Sequence, residues 1–295
     1  MKMLELNRVY NMDCEEGLSL LPDNSVDLIV TSPPYDNLRS YGQGIDCSWN
    51  ESKWKPIIQQ LHRIIKDGGV VVWVVSDATL NGSETGTSFR QALYFMDVGF
   101  RLHDTMIYRK INYIPLTHNR YEQCWEYMFV FSKGRLMTFN PIKIKCKGAG
   151  LIETGGPQRR KVLDPKQAMG KSSNYSMVTK DTKIHPNIFD YACGLDRTGH
   201  PASFPSKLAR DMIYSWSNEG DIVLDPFLGS GTTAVEAVKL NRRFIGFELS
   251  KDYTYMANKR LRDLTGPFKL YGDIGKDENS NPYPLGTPRG NFGQA

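Results

Sequence analysis

The chain has 295 residues, 40% hydrophobic and 23% charged, with 5 cysteines and a formal net charge of +5. A chain of this length buries roughly 75% of its unfolded surface, so a self-sufficient soluble fold is expected. Its longest apolar run, Val70 to Val75, is far short of the roughly 20 residues that span a bilayer. The N-terminus "MKMLELNRVYNMD" has no signal-peptide apolar region, and the expectation is a cytoplasmic protein with no membrane partner. Cys14, Cys47, Cys124, Cys146 and Cys193 form no C-x-x-C pair. Neither a disulfide framework nor a metal site is expected.

Charge is unevenly distributed. Between Lys133 and His185 twelve lysines and arginines face Glu153, Asp164 and Asp181, a net +9, and the rest of the chain therefore carries −4. A module facing a polyanion is the natural inference, with a lysine-decorated solvated loop as the plain alternative.

In chain order, Val26 to Val30 reads as a buried strand that runs into Ser32-Pro33-Pro34-Tyr35. The segment "WNESKWKPIIQQLHRIIKDGG" repeats Ile57, Ile58, Leu61, Ile64 and Ile65 at helical spacing before Asp67-Gly-Gly. Val70 to Val75 reads as the next strand. From about Gly134 to Thr198 the chain is rich in Gly, Ser, Asn and Lys, lacks a sustained helical period, and looks inserted. Ile222 to Leu224 reads as a strand, "DPFLGSG" as a turn, "TTAVEAVKL" as a helix and Phe244 to Phe247 as a strand. The tail "GKDENSNPYPLGTPRGNFGQA" is polar and rich in Pro and Gly, an arm or disordered segment by composition. Two strand-helix-strand units predict an α/β fold with a doubly wound, mostly parallel sheet.

Ligands of such sheets bind beyond the carboxyl ends of strands, which directs attention to "LDPFLGSGTT" and "IVTSPPY". Gly229 and Gly231 let a ligand approach the backbone closely. A phosphate loop needs Lys after its second glycine, and Thr232 stands there instead. The dinucleotide fingerprint lacks its third glycine, because Ala234 takes that place. Glu248 ends the following strand, where an acid reaches ribose hydroxyls; a surface Glu is the alternative. Together these residues describe an adenosine pocket without a group for pyrophosphate, and S-adenosylmethionine fits that description.

"LDPFLGSGTT", "TSPPY" and "GHPASFPSKLARDMI" (Gly199 to Ile213) resemble the cofactor, catalytic and cofactor-flanking motifs of amino-group DNA methyltransferases, in the order of their beta class. "NMDCEEGLSLLPDNSVDLIVTSPPY" and "EYMFVFSKG" resemble further parts of the catalytic half. The resemblance covers about Tyr10 to Gly134 and Gly199 to Leu264. It implies a Rossmann-like S-adenosylmethionine-dependent fold divided into a catalytic half (1–134), a target recognition region (135–198), a cofactor half (199–272) and a tail (273–295). It implies catalytic roles for Ser32, Pro33, Pro34 and Tyr35, for which an ordinary strand-terminating turn is the alternative when the four residues are taken alone. Cofactor roles fall on Asp13, Thr31, His200, Lys207, Asp225, Phe227, Gly229, Ser230, Gly231, Thr232 and Glu248. Asp13 and His200 have turn roles as alternatives, and Phe227 could instead cover the sheet. Trp73, Trp125 and Trp216 are expected in the core.

An exocyclic amine on a base is a weak nucleophile because its lone pair is delocalised into the ring. Acceptors on its two hydrogens, the Ser32 hydroxyl oxygen and the Pro33 carbonyl, favour the tetrahedral nitrogen. The Pro-Pro pair holds that carbonyl rigidly, and Tyr35 would stack on a flipped base. Ser at position 32 resembles the cytosine-N4 enzymes more than the adenine-N6 ones, and none of the cysteines follows proline as cytosine-C5 chemistry favours. Double-stranded DNA is the expected partner, with Lys143, Lys145, Lys147, Arg159, Arg160 and Lys161 on phosphates. A homodimer and a cognate restriction endonuclease are further implications of the resemblance. A silent DNA-binding relative and a nicotinamide-dependent oxidoreductase are the readings from other classes, and each leaves part of the motif set unused.

Overall fold

The computed structural model describes residues 4–34, 49–113, 120–147, 150, 152–155, 175–178, 180–193 and 205–265. Tyr35, His200, Arg159, Arg160, Lys161 and the tail lie outside the described residues. The strands are β1 (Arg8–Asn11), β2 (Val26–Thr31), β3 (Ile65–Val75), β4 (Thr79–Leu80), β5 (Ser83–Glu84), β6 (Phe100–Lys110), β7 (Trp125–Lys133), β8 (Lys143–Lys145), β9 (Ile152–Gly155), β10 (Tyr175–Val178), β11 (Thr182–Ile184), β12 (Ile188–Tyr191), β13 (Ile222–Asp225) and β14 (Arg243–Glu248). The helices are α1 (Cys14–Ser19), α2 (Glu51–Ile64), α3 (Thr87–Val98), α4 (Ser206–Trp216), α5 (Thr232–Lys239) and α6 (Lys251–Thr265).

Eight strands form one sheet in the order β1-β14-β13-β2-β3-β7-β6-β12. Strand β7 runs antiparallel to both β3 and β6, and the other neighbours are parallel. The carboxyl ends of seven strands and the amino end of β7 therefore share one edge. Strand side chains alternate between faces, and each face has its own core. Leu28, Val30, Val70, Val72 and Val74 pack with Leu208, Met212 and Ile213 of α4 and with Val235 and Ala257 of α5 and α6. Ile29, Val71, Trp73 and Val75 pack with Leu18, Ile57, Leu61 and Phe95 from α1, α2 and α3. Strands buried on both faces read as unbroken Val/Ile runs for this reason.

Ile65 departs from its helical spacing. Helix α2 ends at Ile64, and Ile65 is already extended at ψ 140° and opens β3. The change needs no loop, because Gly68 takes φ +79° and the β2–β3 register shifts between Val26 and Leu28. A side chain at Gly69 would stand 2.8 Å from the Asp27 carbonyl, so the two strands meet where only glycine fits. Trp73 and Trp216 are buried, while Trp125 is half-buried beside Tyr127.

The basic segment holds two antiparallel ribbons, β8 with β11 and β9 with β10, and also β12. Although β12 falls inside the stretch that looks inserted, it pairs with β6 and buries Phe189 and Tyr191 in the main core. The root of the β8–β11 ribbon is anchored too. The Asn140 amide donates to the Tyr214 and Ser217 carbonyls behind α4, and His185 N–H donates to the Ile142 carbonyl. Among the described residues no helix is long and apolar enough to cross a membrane, and no cluster of His, Cys, Asp and Glu could hold a metal ion.

Candidate cofactor and catalytic site

Asp225 ends β13 and is the hub of the carboxyl edge. Its Oδ1 accepts from the Thr31 hydroxyl at 2.7 Å and the Phe227 N–H at 3.0 Å, and its Oδ2 from the Thr233 hydroxyl at 2.6 Å. One carboxylate thus ties the end of β2, the start of the glycine turn and the first turn of α5. Burial pushes its pKa up to about 6, against the lowering effect of the three hydrogen bonds.

The turn that follows uses Gly229 at φ +55° and Gly231 at φ +88°, conformations that favour glycine. Gly231 serves as N-cap of α5 without a side-chain cap. A Cβ there would lie 2.8 Å from that of Ala257 on α6, so the turn rests directly on that helix. Glu248, at the end of β14, accepts from the Gly229 N–H at 2.8 Å and the Ser250 N–H at 2.7 Å. Burial raises its pKa, the two N–H groups oppose this, and the Asp225 charge adds to the rise. On α6, Arg260 donates to the Ser230 carbonyl at 2.7 Å and to the Ser230 and Thr232 hydroxyls at 3.3 and 3.2 Å.

Thr31 is fully buried, and Ser32, Pro33 and Pro34 follow it beyond the end of β2, with Pro33 buried and Ser32 and Pro34 half-buried. Thr31 lies opposite Trp73 of β3. Phe227 stands edge-on to Trp49 and Trp73, with ring centres 5.4 and 6.4 Å away, so its ring covers the sheet beside the turn. The Thr31–Asp225 bond places the Ser32-Pro33-Pro34 backbone and the glycine turn at adjacent strand ends.

Two further sequence candidates have structural engagements of their own. Asp13 caps α1, its Oδ1 accepting from the Glu15 N–H at 2.8 Å. It follows β1, whose Asn11 amide donates to the Glu248 carbonyl at 2.9 Å, and so stays close to the β14 end. Lys207 pairs with buried Asp211 at 2.7 Å and lies 5.4 Å from the Tyr191 ring centre, while the Tyr191 hydroxyl donates to the same Asp211 oxygen. Those contacts turn Lys207 toward the β12 end of the sheet. Asp211 was visible four residues after Lys207, at the spacing of a helical ion pair. Arg260 and Asn11 carried no signal in the sequence, since each acts on backbone carbonyls distant along the chain.

Lys143, Lys145 and Lys147 are exposed, the first two on β8, where Lys143 faces Ile184 and Lys145 faces Thr182 across the ribbon. Lys180 and Lys183 are exposed nearby. None of these five has a carboxylate partner among the described residues. Elsewhere Lys66, Lys110, Arg109, Lys207 and Arg210 are all ion-paired.

A family model described as DNA methylase matches residues 26–259, which includes both strand-end motifs. Orphan methyltransferase M.BamHII of Bacillus amyloliquefaciens is 47% identical over 250 residues, covering 82% of this chain and 90% of that protein. The chain belongs to the DNA methylase family that modifies the amino groups of adenine N6 or cytosine N4. Type II methyltransferase M.BglII of Bacillus subtilis is 30% identical over 261 residues, covering 87% of this DNA methylase and 69% of that protein. Among solved structures, the cytosine-N4-specific PvuII DNA methyltransferase superposes with a TM-score of 0.62 at 20% identity, covering 85% of each chain, a likeness of fold. The complex of M1.HpyAVI with S-adenosylmethionine superposes with a TM-score of 0.57 at 26% identity, covering 86% of this chain and 98% of that one.

Proposed function

We propose that this DNA methylase transfers a methyl group from S-adenosylmethionine to N4 of a cytosine flipped out of duplex DNA. The observation that carries the reading is the buried bond from Thr31 to Asp225, because it fixes the Ser32-Pro33-Pro34 backbone beside the glycine turn. The residues at the turn fit the cofactor. Glu248 offers a carboxylate to ribose hydroxyls, Gly229 to Thr232 offer close backbone approach, and the turn has no lysine for a pyrophosphate. When bound, S-adenosylmethionine supplies an electrophilic methyl on a sulfonium.

The protein's own work is positional. The Ser32 hydroxyl oxygen and the Pro33 carbonyl accept the two amine hydrogens, turning the nitrogen lone pair out of the ring. Because Pro33 and Pro34 restrict the backbone, the acceptors need no reorganisation, and alignment of this kind contributes several kcal/mol, by roughly the measure of oriented intramolecular reactions. The duplex is held by Lys143 and Lys145 on the β8–β11 ribbon and by Lys147 just past it, a two-stranded ribbon being an element that a major groove admits. Arg159, Arg160 and Lys161 extend the same phosphate-facing charge in the sequence.

Serine at position 32 supports cytosine; adenine N6 is the second reading, since the same two acceptors serve either amine. Incubation with S-adenosylmethionine and mixed-sequence duplex DNA, followed by digestion to nucleosides and mass spectrometry, separates them. N4-methylcytosine is the expected product, and N6-methyladenine would retain the mechanism but overturn the assignment of the base.

A further inference from the structure

We infer that Arg260 is a positioning residue for the cofactor turn, clamping it from behind so that its front stays shaped for S-adenosylmethionine; this rests on the cofactor reading above. The turn has few anchors of its own, because glycines at 229 and 231 leave its backbone without side chains to hold it. Its entry is held by the Phe227 N–H on Asp225 and the Leu228 N–H on the Phe247 carbonyl, and two side chains grip the glycine part. Glu248 accepts the Gly229 N–H, and Arg260 donates to the Ser230 carbonyl and to the Ser230 and Thr232 hydroxyls. Ser230 and Thr232 are buried, whereas Arg260 is half-buried on α6, whose Ala257 excludes any side chain at Gly231.

Electrostatics argue against a purely stabilising role. The guanidinium sits at the N-terminus of α5, where the helix dipole favours an anion and disfavours a cation. Thr232, the first residue of the helix, has its hydroxyl committed to that cation. A cation beside that neutral glycine cap adds nothing to the stability of the helix itself. The cation is explained if the conformation of Ser230 must be fixed, since one guanidinium nitrogen reaches a carbonyl and two hydroxyls at once. Because the same turn meets Glu248, a slack Ser230 carbonyl would also displace the carboxylate assigned to the ribose.

The test is calorimetric binding of S-adenosylhomocysteine to the full-length protein, alongside melting temperatures without ligand. Arg260→Ala should raise the dissociation constant about tenfold or more, the loss expected when a charge-assisted hydrogen bond is removed. Arg260→Lys should recover part of it, and added guanidinium ion should partly restore binding to Arg260→Ala. The KM for S-adenosylmethionine should rise by a larger factor than kcat falls. A lowered melting temperature with unchanged affinity in Arg260→Ala would make Arg260 a structural residue only and overturn the clamp. Failure of the wild type to bind S-adenosylhomocysteine would overturn the cofactor reading and the clamp together, whereas equal binding by wild type and Arg260→Ala overturns the clamp alone.

Discussion

Asp225 shows how one side chain can join two motifs that are 194 residues apart. Its carboxylate accepts from Thr31, Phe227 and Thr233, yet burial holds its pKa at about 6, above the ordinary 3.8. The native state thus binds a proton more tightly than the unfolded chain, so this group favours folding most below the unfolded value and loses that contribution as pH rises through about 6. Comparing urea unfolding of wild type and Asp225→Asn from pH 7 to pH 4 should show the wild type gaining relative to the variant, by up to about 3 kcal/mol for a shift of this size. A difference independent of pH would mean that the carboxylate keeps its ordinary pKa. At this scale the sequence was only partly legible: Asp225, Thr31 and Glu248 stood in motifs, but their mutual hydrogen bonds depend on how distant strands align. Phe227 illustrates the limit, because its contact with Trp73 arises from sheet order and not from spacing.

The glycine turn and the β8–β11 ribbon carry the predictions at the scale of elements. Gly231→Ala demands a left-handed alanine and brings a Cβ to 2.8 Å from that of Ala257. It should destabilise the protein by more than about 1 kcal/mol in denaturant unfolding and abolish the rise in melting temperature caused by S-adenosylmethionine. On and just past the ribbon, replacing Lys143, Lys145 or Lys147 with alanine should each reduce the slope of log affinity against log salt for non-cognate duplex DNA by about 1. Unchanged slopes would remove the ribbon from the DNA interface. Strands Val26–Val30 and Val70–Val75 were legible because burial on both faces makes them uniformly apolar. Strand β12 was not, since only Phe189 and Tyr191 of its four residues are buried and it lies among lysines and glycines. The end of α2 was misjudged for a different reason: Ile65 fits both the period of the helix and the apolar run of the strand that follows at once.

For the molecule as a whole, sheet order converts two separated motifs into one site. Strands β2 and β13 are neighbours, so the Ser32-Pro33-Pro34 backbone and the glycine turn meet at a single edge, and the basic ribbon is rooted on α4 beside the same sheet. The alternation of strand and helix made the fold class readable, and three ordered motifs made the family readable. The extra edge strand and the clamp from α6 emerge only when the chain is closed in three dimensions. The positional account of catalysis is tested most directly by the single-turnover methyl-transfer rate of Ser32→Ala at saturating S-adenosylmethionine and DNA, with binding of both measured in parallel. The account predicts a fall of about 100-fold or more with both affinities retained, the scale seen when one preorganised group at a reacting centre is lost. A rate equal to wild type would contradict it.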